Sequence, residues 1–182
     1  MICFHLLGMP INAFAAEGTN AVSVGVSRLL ANDTSGFTDG IGYEKRILGI
    51  IAVYATIGNI DYRYEKDSHV ETARGTGGEI GALLYPFRQS LKEWYFGVGW
   101  GTWSVKGNWQ DDVGTPFVTS GTFRSSIDSF RLQTGYKWYF GSHNIFIDPR
   151  LQIGDMFGDI DSKAFAGHTG FVDLHVSIGI TW

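Results

Sequence analysis

The sequence predicts an all-β fold, an eight-stranded antiparallel up-and-down transmembrane β-barrel with a polar, side-chain-filled lumen. Three observations lead there. Long segments alternate apolar residues with small or polar ones at a period of two. The links between these segments alternate between short and long. Aromatic residues reach 15% and glycines number 25, while charged residues stop at 18%, below the roughly 25% usual in soluble domains.

The chain has 182 residues, enough for one domain of ordinary size. A mean hydropathy near zero argues against intrinsic disorder. The net charge of -4 and the absence of a polybasic stretch argue against nucleic acid as a partner. The longest apolar stretch runs from Ile47 to Gly58, too short for a membrane-spanning helix. A barrel escapes that test because alternation hides its hydrophobicity.

Residues 1–15 read as a signal peptide. Ile2-Cys3-Phe4 and Leu6-Leu7 form an apolar run, and Ala13-Phe14-Ala15 fits a small-residue cleavage site before Ala16. No Lys or Arg precedes Arg28, so the basic start of such a leader is missing and the expectation is a truncated or internal start. Residues 16–182 form a single barrel domain. The sole cysteine, Cys3, falls in the leader, which removes disulfide, thiolate and cysteine–zinc chemistry from the mature chain.

The strands follow in order. Val22, Val24 and Val26 alternate with Ser23, Gly25 and Ser27. A second strand covers about 37–46 and a third about 49–66. Within the third, Ile51 to Ile57 is apolar on both faces, which predicts a bulge near Gly58. The fourth covers about 75–87. Trp94, Phe96, Val98 and Trp100 alternate with glycines in the fifth, and Phe130, Leu132, Thr134, Tyr136 and Trp138 alternate with Ser129, Arg131, Gln133, Gly135 and Lys137 in the sixth. In the seventh, Ile145, Ile147, Leu151 and Ile153 alternate with Asp148, Arg150 and Gln152, and Pro149 predicts a local bulge. The eighth, Val172 to Trp182, has large apolar residues at every even position. Short links are expected near Ile47-Leu48, from Arg88 to Glu93 and from Gly141 to Asn144. Longer polar loops are expected at 31–36, 67–74, 110–120 and 159–169. This is the plan of a bacterial outer-membrane barrel with both termini periplasmic.

The sense of the alternation decides between two solvents. A lipocalin-like barrel in water is apolar inside, whereas a barrel in lipid is polar inside. The small-or-polar face carries Glu44, Asp61, Glu79, Asp148 and Asp173, then Arg63, Lys106, Arg131, Lys137 and Arg150, with His175. Five acids against five bases suit a sealed lumen, because buried charges persist only when paired. Trp94, Phe96, Tyr136, Trp138 and Trp182 are expected to girdle the periplasmic edge, and Tyr62 and Tyr64 the other.

The C-terminus, with Trp182 last and Ile180, Ile178, Val176 and Leu174 at alternate positions before it, resembles the aromatic-terminated signal read by the barrel-assembly machinery. Gly40-Ile41-Gly42-Tyr43-Glu44-Lys45-Arg46 and Leu83-Leu84-Tyr85-Pro86-Phe87 are similar to strand segments of the small eight-stranded outer-membrane barrels, the group of opacity-type adhesins and OmpA-like transmembrane domains. The resemblance runs from about Glu17 to Trp182. It implies the assembly machinery, outer-membrane lipids and lipopolysaccharide as partners, no cofactor, and a surface ligand it does not identify.

Candidate chemistry is sparse. His175-Val176-Ser177 places a base and a nucleophile on one strand face, as in outer-membrane lipid A deacylases, and Asp173 could orient the histidine. That family has Asn after the pair where this chain has Ile178, and parity sends His175 and Ser177 into the lumen, away from acyl chains. His69, His143 and His168 lack ligand spacing, so no metal is expected. Asp111 with Asp112, and Asp159 with Asp161, are candidates for divalent cations, more simply read as solvated acids. Gly75-Thr76-Gly77-Gly78 lacks the lysine and helix of a phosphate loop. The leading expectation is a non-catalytic structural or surface-interaction protein; a lipid A- or phospholipid-modifying enzyme and a narrow pore are the alternatives.

Overall fold

In the computed structural model the described residues are 19–87, 93–140, 144–158, 163–164 and 167–182. The signal-peptide segment 1–15, with Cys3, lies outside them, as do His143, Asp159, Asp161 and most of the Arg88–Glu93 and Gly141–Asn144 links. Eight strands account for nearly all the rest: β1 Asn20–Ala31, β2 Thr34–Leu48, β3 Ile51–Lys66, β4 His69–Leu84, β5 Glu93–Asp111, β6 Thr119–Phe140, β7 Ile145–Gly158 and β8 Gly167–Thr181. Each pairs antiparallel with its sequence neighbours, and β1 pairs with β8 to close the barrel. A row of directly opposed residues that leaves β6 at Arg124 passes Lys106, Arg74, Asp61, Phe37, Arg28, Leu174 and Leu151, and returns to β6 at Thr134. That stagger of ten residues tilts the strands by about 40°. The termini meet at one end, hereafter the terminal end, where Thr19 N–H donates to the Trp182 carbonyl at 3.0 Å.

The connections are less regular than the sequence suggested. The loops expected at 31–36 and 67–74 are two-residue turns, Asn32-Asp33 and Asp67-Ser68, each with an aspartate at positive φ (57° and 53°). Aspartate tolerates that left-handed conformation, so the strands run on through residues assigned to loops. The turn after β2 is Gly49-Ile50, and the one wide connection wholly described is residues 112–118. Two expected bulges are absent as well. β3 pairs with both neighbours in unbroken register through Gly58, and the irregularity lies instead in β2 between Arg46 and Leu48. Pro149 interrupts the ladder to β6 opposite Tyr136 and Lys137 without shifting its register, because it removes only a donor.

The outer wall has two zones. Nearer the termini, Val24, Ile41, Ile57, Ile80, Val98, Leu132, Leu151 and Ile178 point outward, 46–68% exposed except Leu151 at 43%. On β6 the outward run from Phe130 to Phe140 spans ten residues, about 25 Å of height at 3.3 Å per residue and this tilt. That is the height of the apolar band of a barrel in lipid. Trp94, Phe96, Trp138 and Trp182, all half exposed, ring its lower edge. A surface this apolar is solvated by hydrocarbon, and water does not support it.

Toward the other end, the far end, the polarity inverts. Leu29, Ile60, Tyr62, Ala73, Trp103, Val105, Phe123, Ile127, Met156 and Phe171 fill the interior there. Asp61, Arg63 and Lys106, expected in the lumen, are exposed on the outer wall instead. At 19 and 22 residues, β5 and β6 overshoot the 9–11 residues that cross a bilayer. Their far halves meet water and adopt a soluble barrel's polarity. For the same reason Tyr62 is buried in this core and Tyr64 packs against it, so neither forms an outer girdle.

Between the zones, Gly25, Gly40, Gly58 and Gly77 oppose one another on four consecutive strands. A Cβ on Gly58 would lie 2.0 Å from the Asp39 carbonyl oxygen, and one on Gly25 would lie 2.5 Å from Nε2 of His175. The wall bends too tightly there for a side chain. Gly58→Val should therefore lose the compact, SDS-resistant form, measured as the fraction of heat-shifted band after refolding; normal yield would refute this reading.

Candidate functional site

Three of the barrel's charged clusters lie inside it. At the terminal end, Lys137 on β6 donates to Glu44 on β2 at 2.5 Å. The Tyr85 hydroxyl donates to the other Glu44 oxygen. The ammonium also lies 5.0 Å from the Phe146 ring centre and 5.5 Å from that of Tyr85, so aromatic faces complete its desolvated shell. One step along, Arg150 pairs with Asp148 at 2.5 Å, and the Tyr95 hydroxyl donates to Asp148 at 2.9 Å. In the third cluster Arg131 lies 2.8 Å from Glu79 and donates to Gln152, which donates to Gln133. Tyr54 donates to Glu79, and Ser27 donates to Asp173 at 2.9 Å, with Arg131 4.0 Å from Asp173.

Thus each of the four lumen carboxylates, Glu44, Glu79, Asp148 and Asp173, holds one hydroxyl donor and one cation. Four acids face three bases, and the hydroxyls supply part of the solvation that water would give; Oδ1 of Asp173 and Nε of Arg150 find no hydrogen-bond partner among the described residues. Alternation did not single out Tyr54, Tyr85 and Tyr95 because aromatics were assigned to the lipid face. Strand parity was the available signal, since Tyr95 shares its face with Gly97 and Gly99. Residual voids are small: about 50 Å³ beside Glu79, Arg131 and His175, and about 20 Å³ beside Glu44 and Lys137.

Asp173, His175 and Ser177 share the inner face of β8 but take different partners. Asp173 binds Ser27, Ser177 accepts from Arg150 at 3.4 Å, and the His175 ring fills the space left by Gly25. Among the described residues no hydrogen bond joins His175 to either. Trp182, Ile180, Ile178 and Val176 point outward along the seam with β1, each at least half exposed.

A further cluster closes the far mouth, beyond the apolar band. His69 contacts Glu71 at 2.9 Å through Nε2 and Asp111 through Nδ1, and Trp109 stacks on its ring. Buried Glu71 accepts the backbone N–H of Lys163 at 2.7 Å and of Ala164 at 3.3 Å, tying the β7–β8 connection into the mouth. Hydrogen bonds from His69 and then from Lys163 hold the Asp111 carboxyl below its ordinary range. Glu71 was missed because its neighbours carry no lumen pattern, this being the inverted zone. His168 contacts Asp155 on the outer wall. Among the described residues no group of three or more histidines, cysteines and acids is arranged to hold a metal ion.

No protein-family model matches this chain, and no curated protein sequence does. Solved structures do. Ail, the attachment invasion locus protein of Yersinia pestis, superposes with a TM-score of 0.55 at 11% identity, covering 92% of this chain and 100% of Ail. The translocator domain of the autotransporter NalP from Neisseria meningitidis gives 0.54 at 8% identity, covering 93% and 90%. Neisserial surface protein A gives 0.52 at 13% identity, covering 90% and 97%. The fold is that of the small eight-stranded outer-membrane barrels, as the resemblance implied. At these identities the likeness carries the fold and no more.

The lumen pairing makes a quantitative prediction. Lys137→Met alone strands the Glu44 carboxylate and should cost about 3–5 kcal/mol, whereas Lys137→Met with Glu44→Gln should recover most of it. Urea unfolding in lipid vesicles reads both, and a double variant no more stable than the single would refute the pairing argument.

Proposed function

We propose that this protein is a non-catalytic outer-membrane barrel, with both termini in the periplasm, that acts through its far rim. One observation carries the reading: in the half of the barrel nearer the termini, hydrocarbon-compatible side chains cover the outside while paired charges line the inside. The paired lumen charges, with voids of only about 50 and 20 Å³ beside them, argue against a pore. Among the described residues His175 has no hydrogen-bonded nucleophile or orienting acid, which argues against the deacylase alternative.

What the far end offers a partner is the 112–118 connection. Val113, Phe117 and Val118 stand 43%, 77% and 48% exposed there, and Asp112 and Gly114 adopt positive φ that fixes the turn. An apolar tip held on long strands can dock on another surface. The membrane's lipids and lipopolysaccharide surround the wall below it, and the outward Trp182, Ile180, Ile178 and Val176 fit the role of an assembly signal.

Two measurements test this. Phe117→Cys should react with a membrane-impermeant maleimide on intact cells; reaction only after permeabilisation would reverse the orientation. Bacteria expressing Phe117→Ser with Val118→Ser should adhere to cultured animal cells less than those expressing the parent protein, at equal surface amount. Equal adherence would remove the rim from the role, and altered lipid A in cells expressing the parent but not His175→Ala would restore the enzymatic alternative.

A further inference from the structure

The row of opposed residues that defines the barrel's stagger contains an anomaly on its outer wall. Arg74 on β4 lies directly opposite Lys106 on β5, and Lys106 lies directly opposite Arg124 on β6. All three side chains are exposed and point outward. Like charges directly opposite across a sheet repel, and strand pairs avoid them. Arg74 has a partner at the end of the row, Asp61 at 2.8 Å; Lys106 and Arg124 take none among the described residues.

The rows on either side sharpen the picture. Thr72, Asn108 and Thr122 oppose one another just above the cations, and Thr76, Ser104 and Ser126 oppose one another just below. All six are exposed. Three cations thus stand between two lines of hydroxyl and amide groups, with no carboxylate in the nine positions. Such a surface is complementary to a sugar that carries phosphate: the cations meet the phosphates and the short side chains meet the sugar hydroxyls. It spans β4 and the two longest strands, β5 and β6, so the groups are held at fixed spacing.

Height selects the source of that ligand. Lys106 lies six residues along β5 from Trp100, the last outward aromatic of the apolar band on that strand, which places it about 15 Å higher. A phospholipid headgroup layer is only about 5–8 Å deep on each side of the hydrocarbon, so the patch stands above it, at the height of sugars carried on a lipid, and faces sideways. A soluble polymer would meet the loop tips first, whereas a lipid headgroup standing beside the barrel meets this wall.

We infer that Arg74, Lys106 and Arg124, with the hydroxyl rows that flank them, form a lateral site for the phosphorylated sugar headgroup of an outer-leaflet glycolipid. The inference rests on the outer-membrane reading and adds a defined lipid site to it. The test uses the full chain refolded in detergent micelles and a bisphosphorylated, short-core lipopolysaccharide as probe, with the same material after dephosphorylation as control. The parent protein should bind the phosphorylated form, lose it as salt rises, and bind the dephosphorylated form at least about tenfold more weakly. Lys106→Gln with Arg124→Gln should reproduce that tenfold loss, while Lys45→Gln, an exposed cation at the terminal end, should leave binding unchanged.

Equal binding of both lipid forms by the parent protein overturns the inference, and needs no variant to fold. Equal binding by the double variant, with its heat-shifted band intact, overturns it too. So does saturation by a soluble sulfated polysaccharide without binding of the lipid, which would move the patch to a soluble polyanion. Failure of the underlying reading looks different: the parent chain would show no heat-shifted band and would fractionate with soluble proteins.

Discussion

A sheet in hydrocarbon cannot have an edge, and most of this structure follows from that. Unpaired backbone groups in lipid cost several kcal/mol each, so β1 must find β8 and the ring must close. Closure at eight strands with a stagger of ten residues fixes the tilt, and the tilt fixes how many residues cross the band. The terminal seam is where closure is completed, with Thr19 and Asn20 bonded to Trp182 across it. The glycine row serves the same end, because strands that bend around so narrow a ring leave no room for Cβ atoms at Gly58 or Gly25.

Closure then creates the interior problem. Side chains that alternate away from lipid must fill a narrow lumen, and those with charge must be solvated by the protein. The solution repeats: each carboxylate takes a cation and a hydroxyl, from other strands in every case but Asp148, whose cation is Arg150 on its own strand. Glu44 draws on β6 and on Tyr85 beyond β4, and Glu79 draws on β6 and on Tyr54 of β3. These pairs cross the lumen, so they fix which strands face one another at each level. Their net contribution to stability is small compared with the cost of breaking one, which is how a buried network specifies a register more than it strengthens a fold.

The sequence was legible where one solvent covered a whole strand face. β8 reads cleanly because its outward positions from Val172 to Trp182 stay apolar along their length. β5 does not, because it passes from hydrocarbon into water. Its outward face reads Trp94, Phe96, Val98, Trp100, then Thr102, Ser104 and Lys106, while its inward face changes from glycine to Trp103 and Val105. Sorting residues by polarity sends Lys106 indoors; sorting them by parity from Tyr95 keeps it outdoors. Asp61 and Arg63 were misplaced in the same way. The lumen cations and acids nearer the termini were readable because polarity and parity agree there. The tyrosines that bind those acids were not, since an aromatic residue carries both a lipid-compatible ring and a hydroxyl.

The change of solvent along each strand also sorts the molecule's possible contacts by height. Within the band, the outward surface can speak only to acyl chains, and the inward surface is committed to itself. Above the band the interior becomes an ordinary apolar core, roofed by His69, Glu71 and the Lys163–Ala164 backbone, and needs no ligand to be complete. What remains uncommitted is the outer wall above the band and the 112–118 tip. These two surfaces differ in chemistry as well as height: cations and hydroxyls on the wall, valine and phenylalanine at the tip. The charged wall stands just above the apolar band, whereas the apolar tip stands at the far end of β5 and β6. The two surfaces can therefore be altered separately, because they sit at different levels of the barrel, the patch on β4, β5 and β6 and the tip between β5 and β6.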